Sequence, residues 1–140
     1  MASTAKRSRQ TPRKRAARKR PVNPRLRLPL DVRLAVDAAF DKKAEDVVVL
    51  DLRKASAFTD CFVICSGTNV RQVQAIADSI EEALKKKGLR PSLVEGYQRG
   101  EWILIDYFDF IVHVFATATR EFYGLERLWA DAEHIAIPAI

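Results

Sequence analysis

Residues 102 to 129 read WILIDYFDFIVHVFATATREFYGLERLW, and this stretch decides the fold. It opens with an apolar run from Trp102 to Ile105 that closes on Asp106. Asp106, Tyr107, Phe108 and Asp109 reverse the chain, and a second run, Phe110 to Ala116, carries one polar residue, His113. Two apolar runs around a short acidic turn predict a β-hairpin lying deep in a sheet. Thr117 or Thr119 is placed to cap a following helix, which Gly124 breaks into two short pieces.

Upstream, Val32, Ala35, Val36, Ala39 and Phe40 recur at three- and four-residue steps, one apolar helix face set against Arg33, Asp37, Asp41 and Lys42. Val47 to Leu50 is a continuous β-branched and aliphatic run, a strand buried on both faces, and Asp51-Leu52-Arg53 ends it. Ala55 to Asp60 connects it to a second buried strand, Cys61 to Cys65. Ser66-Gly67-Thr68-Asn69 then opens a helix, with Asn69 or Thr68 as its cap. Val73, Ile76, Ala77, Ile80, Ala83 and Leu84 face inward along it. Lys85, Lys86 and Lys87 suit the negative end of the helix dipole, and Gly88 takes the first position past the cap. A short strand is expected around Ser92 to Glu95. The order predicts an α/β domain: a mixed β-sheet with helices packed over it.

One hundred and forty residues, 48% of them hydrophobic, suit one domain with one core. No apolar run approaches the roughly 20 residues of a membrane helix, so a soluble chain is expected. The net charge of +6 hides a division. Eleven of the 24 cations lie in residues 1–27 without a single acid, and the other 13 face 18 acids. The reading is thus a disordered basic tail, residues 1–28, followed by an acidic domain, residues 29–136. Three roles for the tail stay open. It is a solvated segment, a phosphate-contacting arm using Arg13, Lys14, Arg15, Arg18, Lys19 and Arg20, or an organellar transit peptide. Cys61 and Cys65 share one strand face about 13 Å apart, too far for a disulfide, and are expected reduced, buried and cytosolic.

Candidate chemistry is sparse. The Ser66-Gly67-Thr68 turn offers free N–H groups to a phosphate but matches no phosphate-loop pattern. Asp106 and Asp109 flank a turn rather than alternate along a strand, as a metal-binding pair on one sheet face would, and nothing places Asp51 beside them. His113 has no evident nucleophile to serve, and Ser66 lacks an activating context. No catalytic residue, metal ligand or cofactor is assigned. Trp102, Tyr107, Phe108, Tyr123 and Trp129 exceed what one core needs at strand ends, and beside acids they suit an interface for a basic partner.

The hairpin residues Trp102, Asp106, Asp109, His113 and Phe115, with Arg120, Tyr123 and the run Leu125 to Trp129, resemble the ribosomal silencing factor family, RsfS or Iojap. Further blocks agree in order, Lys43 to Leu52, Thr59 to Thr68, Arg71 to Val73, Ala75 to Asp78 and Glu95-Gly96, so the resemblance covers about Leu30 to Ala132. It implies a sheet similar to that of nucleotidyltransferases without a working active site, in a binder that is not an enzyme. It also implies docking on the large ribosomal subunit, through ribosomal protein uL14, where joining of the small subunit is blocked and translation repressed in the cytoplasm. Trp102, Asp106, Asp109, Tyr123 and Glu126 are the partner-binding residues it implies. His113 and Trp129 match too, as structural or interfacial residues. A nucleotidyltransferase-like enzyme that kept activity and a generic RNA-binding protein acting through its tail remain alternatives, and a homodimer is compatible with each reading. Phe108 stands where the family's turn commonly has Gly, and the basic tail lies outside the resemblance.

Overall fold

A computed structural model of the chain describes residues 23–55 and 57–139. The six tail positions Arg13 to Arg20 named above lie outside the described residues. A short 3-10 helix, Pro24–Arg27, precedes α1 (Leu30–Asp41), β1 (Glu45–Asp51) and β2 (Cys61–Gly67). Then come α2 (Val70–Lys85), β3 (Leu93–Glu95), and the hairpin of β4 (Trp102–Asp106) and β5 (Phe110–Ala116). Two short helices, α3 (Thr117–Tyr123) and α4 (Leu125–Leu128), and a last strand, β6 (Glu133–Ala136), complete the fold.

The strands form one mixed sheet in the order β3-β4-β5-β2-β1-β6. Only β2 and β5 run parallel, because α2, β3 and β4 carry the chain across between them. Helices α1 and α2 cover one face, where Val47, Val49, Val63, Cys65, Ile103, Ile105, Val112 and Val114 are buried. The opposite face holds Leu50, Phe62, Ile64, Ile111 and Phe115, and its apolar cluster is completed by Leu125, Ala132 and Trp129 from the region of α4. Both faces of β1 and β2 therefore carry apolar side chains, which is why their runs do not alternate. Cys61 and Cys65 are buried free thiols, and burial pushes their pKa values up to about 11 and about 12.

Several boundaries differ from the sequence reading. Ser66 and Gly67 extend β2 instead of opening α2, and Asn69 alone caps that helix, accepting from the Gln72 N–H at 2.8 Å. Gly88 has the expected left-handed backbone, but it lies two residues past the Lys86 cap. Thr117 is the first residue of α3, and its hydroxyl donates to the Gly67 carbonyl at 3.4 Å, so neither threonine caps the helix. Gly124 breaks the helix as expected, at φ +56°. Strand β6 has no counterpart in the sequence reading, and Ile137 beyond it is buried.

The folded part also begins earlier than Pro29. Arg25 is buried, paired with Asp37 at 2.8 Å, and its guanidinium sits 5.0 Å from the centre of the Phe40 ring. Arg27 reaches Glu133 at 2.7 Å. Two cations counted with the tail are thus fixtures of the domain. A charge count cannot see this, because Arg buries its stem and aromatic-facing plane while its N–H groups find a carboxylate.

Candidate docking surface

Side chains alternate along β4, so Trp102, Leu104 and Asp106 project from the sheet face that α1 and α2 leave uncovered. Leu93 lies opposite Asp106 on β3, and Glu95 opposite Leu104, which extends that face to the sheet edge. Leu104 is half-buried and Leu93 exposed. Phe58, 6.3 Å from the Phe62 ring, and Phe108, Phe122, Tyr123 and Leu128 add exposed apolar surface around it. Contiguous exposed apolar side chains of this size are characteristic of contact surfaces.

The five implied partner residues fall into two groups. At the upper end of β4, the Trp102 ring lies 4.9 Å from both Tyr123 and Phe115, while Tyr123 stays 52% exposed. The Trp102 indole N–H donates to His113 Nδ1 at 3.1 Å. Glu126 stands on α4 and accepts from Arg120 Nε and Nη2 at 3.1 and 3.0 Å, while Arg120 Nη1 donates to Ser66 Oγ at 2.9 Å. That carboxylate is matched inside the chain. Its work in the fold is to hold α4 against the end of β2.

Asp106 and Asp109 lie at the other end, four or more residues along the strand and so about 13 Å from Trp102. Asp106 Oδ1 accepts the Phe108 N–H at 2.8 Å, the short-range bond that makes Asp a turn residue. Asp109 is exposed, and its carbonyl accepts the Asp60 N–H at 2.9 Å. The Thr59 hydroxyl donates to the Phe108 carbonyl at 2.8 Å, so the hairpin tip is tied to the β1–β2 connector. Phe108 itself has φ +74° and is 78% exposed. The chain thus holds a phenylalanine in left-handed backbone, the conformation that glycine adopts most readily.

His113 and Trp129 are placed inside the domain. His113 is 4% exposed, with Phe62 set edge-on at 4.6 Å, and burial alone pushes its pKa down to about 4. Among the described residues its Nε2 has no partner, so within them it is not the fully satisfied core histidine that is the usual expectation. Trp129 is half-buried, 5.9 Å from Phe62.

The geometry offers little to catalysis. Among the described residues no group of three His, Cys, Asp or Glu side chains is placed to hold a metal ion. Asp51 is bound twice by Arg53, at 3.0 and 2.7 Å, which lowers its pKa, and three strand spacings separate it from Asp106, about 14 Å. His113 Nδ1 is engaged by Trp102, and Ser66 Oγ by Arg120. No helix among the described residues is long and apolar enough to cross a membrane.

Residues 27–140 match the family model described as ribosomal silencing factor during starvation. A ribosomal silencing factor RsfS of Halalkalibacterium halodurans is 41% identical over 109 residues, 78% of this chain and 93% of its own. The mouse protein named for mitochondrial assembly of the ribosomal large subunit is 29% identical over 102 residues, 71% of this chain and 45% of its own. Among solved structures, one from Chromobacterium violaceum superposes with TM-score 0.70 at 36% identity, covering 72% of this chain and 84% of that one. One from Bacillus halodurans gives 0.64 at 44% identity, covering 70% and 91%.

Proposed function

Because the chain belongs to the ribosomal silencing factor family, we propose that its half-open sheet face docks on the large ribosomal subunit, at ribosomal protein uL14, and thereby blocks joining of the small subunit. The observation that carries this reading is the Trp102–Tyr123 pair. Two large aromatic rings pack against each other, tilted by 48°, at one end of an uncovered sheet face, and one is more than half exposed. Asp106 and Asp109 supply negative charge at the other end, which suits a basic ribosomal protein lying along β4. Glu126 contributes by tying α4, which carries Leu128, through Arg120 to Ser66 at the end of β2.

The mechanism is occlusion in the cytoplasm and needs no turnover, cofactor or metal. A bound domain of this size fills space that the other subunit must occupy, so repression follows from affinity alone. Residues 1–22, with nine cations and no acid, add contacts to ribosomal RNA phosphates that are independent of docking specificity. Sedimentation of the purified protein with isolated large subunits, beside a subunit-joining assay, tests the reading. Wild type should pellet with large subunits and suppress joining. Trp102→Ala should stay folded and lose about thirtyfold in affinity, the scale of an interface tryptophan worth about 2 kcal/mol. Unaltered docking of that variant would overturn the assignment of this face.

A further inference from the structure

Two features of His113 do not fit a packing role. Its ring is buried among Phe62, Trp102 and Phe115, yet it carries a polar edge, Nε2, with no hydrogen-bond partner among the described residues. Leaving such a group unpaired in the interior costs stability that an apolar side chain of similar size would not. What the imidazole supplies in exchange is one acceptor, Nδ1, and that acceptor takes the Trp102 indole N–H at 3.1 Å. An indole N–H only donates, so Nδ1 must be bare, and the ring is neutral with its proton on Nε2.

The Trp102 ring needs that acceptor. The indole packs against Phe115 and Tyr123, both at 4.9 Å between ring centres, and its outer side-chain torsion has two broad wells about a half-turn apart. The hydrogen bond adds to the preference for one of them, because one orientation aims N–H at His113 and the other does not. His113 stands on β5 opposite Leu104, two positions from the Trp102–Phe115 pair, within the diagonal reach of a large side chain.

We propose that His113 is a positioning residue that fixes the orientation in which the Trp102 indole meets the docking partner. The proposal rests on the docking reading of the Trp102 face and adds a residue that touches no partner itself. Two variants separate the acceptor from the ring. His113→Phe keeps an aromatic ring and loses the acceptor, while His113→Asn places Oδ1 close to where Nδ1 lies.

The test uses the full chain, nitrogen-15 labelled. In wild type at neutral pH the imidazole nitrogen shifts should report a protonated Nε2 and a bare Nδ1, and the reverse tautomer would overturn the proposal without any variant. His113→Phe should move the Trp102 indole N–H resonance and weaken sedimentation with isolated large subunits about fivefold to tenfold, the scale of one hydrogen bond. His113→Asn should restore both to within about twofold, which a merely structural histidine would not do. Should His113→Phe fail to fold, a folded His113→Asn that docks as poorly as Trp102→Ala overturns the proposal. If His113→Phe docks like wild type while Trp102→Ala does not, the positioning role is wrong and the docking face stands. If Trp102→Ala itself docks normally, the docking reading fails and carries this proposal with it.

Discussion

Replacing Phe108 by Gly and, separately, by Ala should invert the usual order of these two residues. Both substitutions delete the same ring, so the little burial that a 78% exposed side chain provides cancels between them. What remains is the backbone. At φ +74° an L-residue carries about 1–2 kcal/mol of left-handed strain, which Ala keeps and Gly sheds. Gly in turn loses about 0.4–1 kcal/mol more through the freedom of its unfolded chain. The difference leaves Phe108→Gly more stable than Phe108→Ala by about 1 kcal/mol. In ordinary strand or helix backbone the same comparison favours Ala by about 0.5–1 kcal/mol, so the sign alone is diagnostic. Urea unfolding followed by circular dichroism reads it out, provided the two variants share one m-value. A Phe108→Ala protein as stable as Phe108→Gly would show that the turn relaxes out of left-handed backbone, and the strain assigned to it would be wrong.

The buried histidine gives stability a pH dependence. Its folded pKa of about 4 lies below the unfolded value of 6.5, so between these limits the unfolded chain binds a proton that the folded one does not. Stability should fall by up to about 3 kcal/mol as pH drops from 6.5 to 4, with no contribution from this group above 6.5, and wild type and His113→Asn should converge in urea midpoints on acidification. Removing residues 1–22 takes away nine cations while sparing the Arg25 and Arg27 anchors. If about five of those charges neutralise phosphates, the logarithmic salt slope of large-subunit binding should flatten by about 4, while docking persists at higher protein concentration. Parallel slopes for the two proteins would mean that the tail touches no RNA.

Periodicity made most of the fold legible. The inward residues of α1 and α2 announce themselves by three- and four-residue spacing, and the hairpin by two apolar runs around Asp106 to Asp109. Strand β6 escaped because four residues with two exposed polar side chains, Glu133 and His134, carry too short a pattern, although Ile135 and Ile137 do alternate. The order around Arg25 escaped because a run of cations reads as solvated until a carboxylate and an aromatic ring are seen beside one of them. At the proposed docking face, residue type singled out Trp102 and Tyr123 as candidate anchors. The run that Trp102 opens and Asp106 closes already sets these residues at opposite ends of β4, but only geometry shows that the Glu126 charge is spent on Arg120. The Trp102–His113 bond spans a diagonal between strands, a relation that linear spacing cannot express.

The pairing of β1 with β6 sets a timetable for folding. Asp51 lies opposite Glu133, so the outer edge of β1 has no neighbour until a strand made about 80 residues later arrives. At about 5–20 residues per second of synthesis, that wait lasts about 4–16 seconds, long compared with the formation of a hairpin. Through that interval an aliphatic strand, Val47 to Leu50, would offer bare backbone N–H and C=O groups to any other nascent chain. The irregular pairing near Glu45, where Asp46 takes φ +50°, kinks the start of that edge. Copies of the same unfinished chain, crowded together on one message, would meet a bent rather than a flat edge where they are most able to stick.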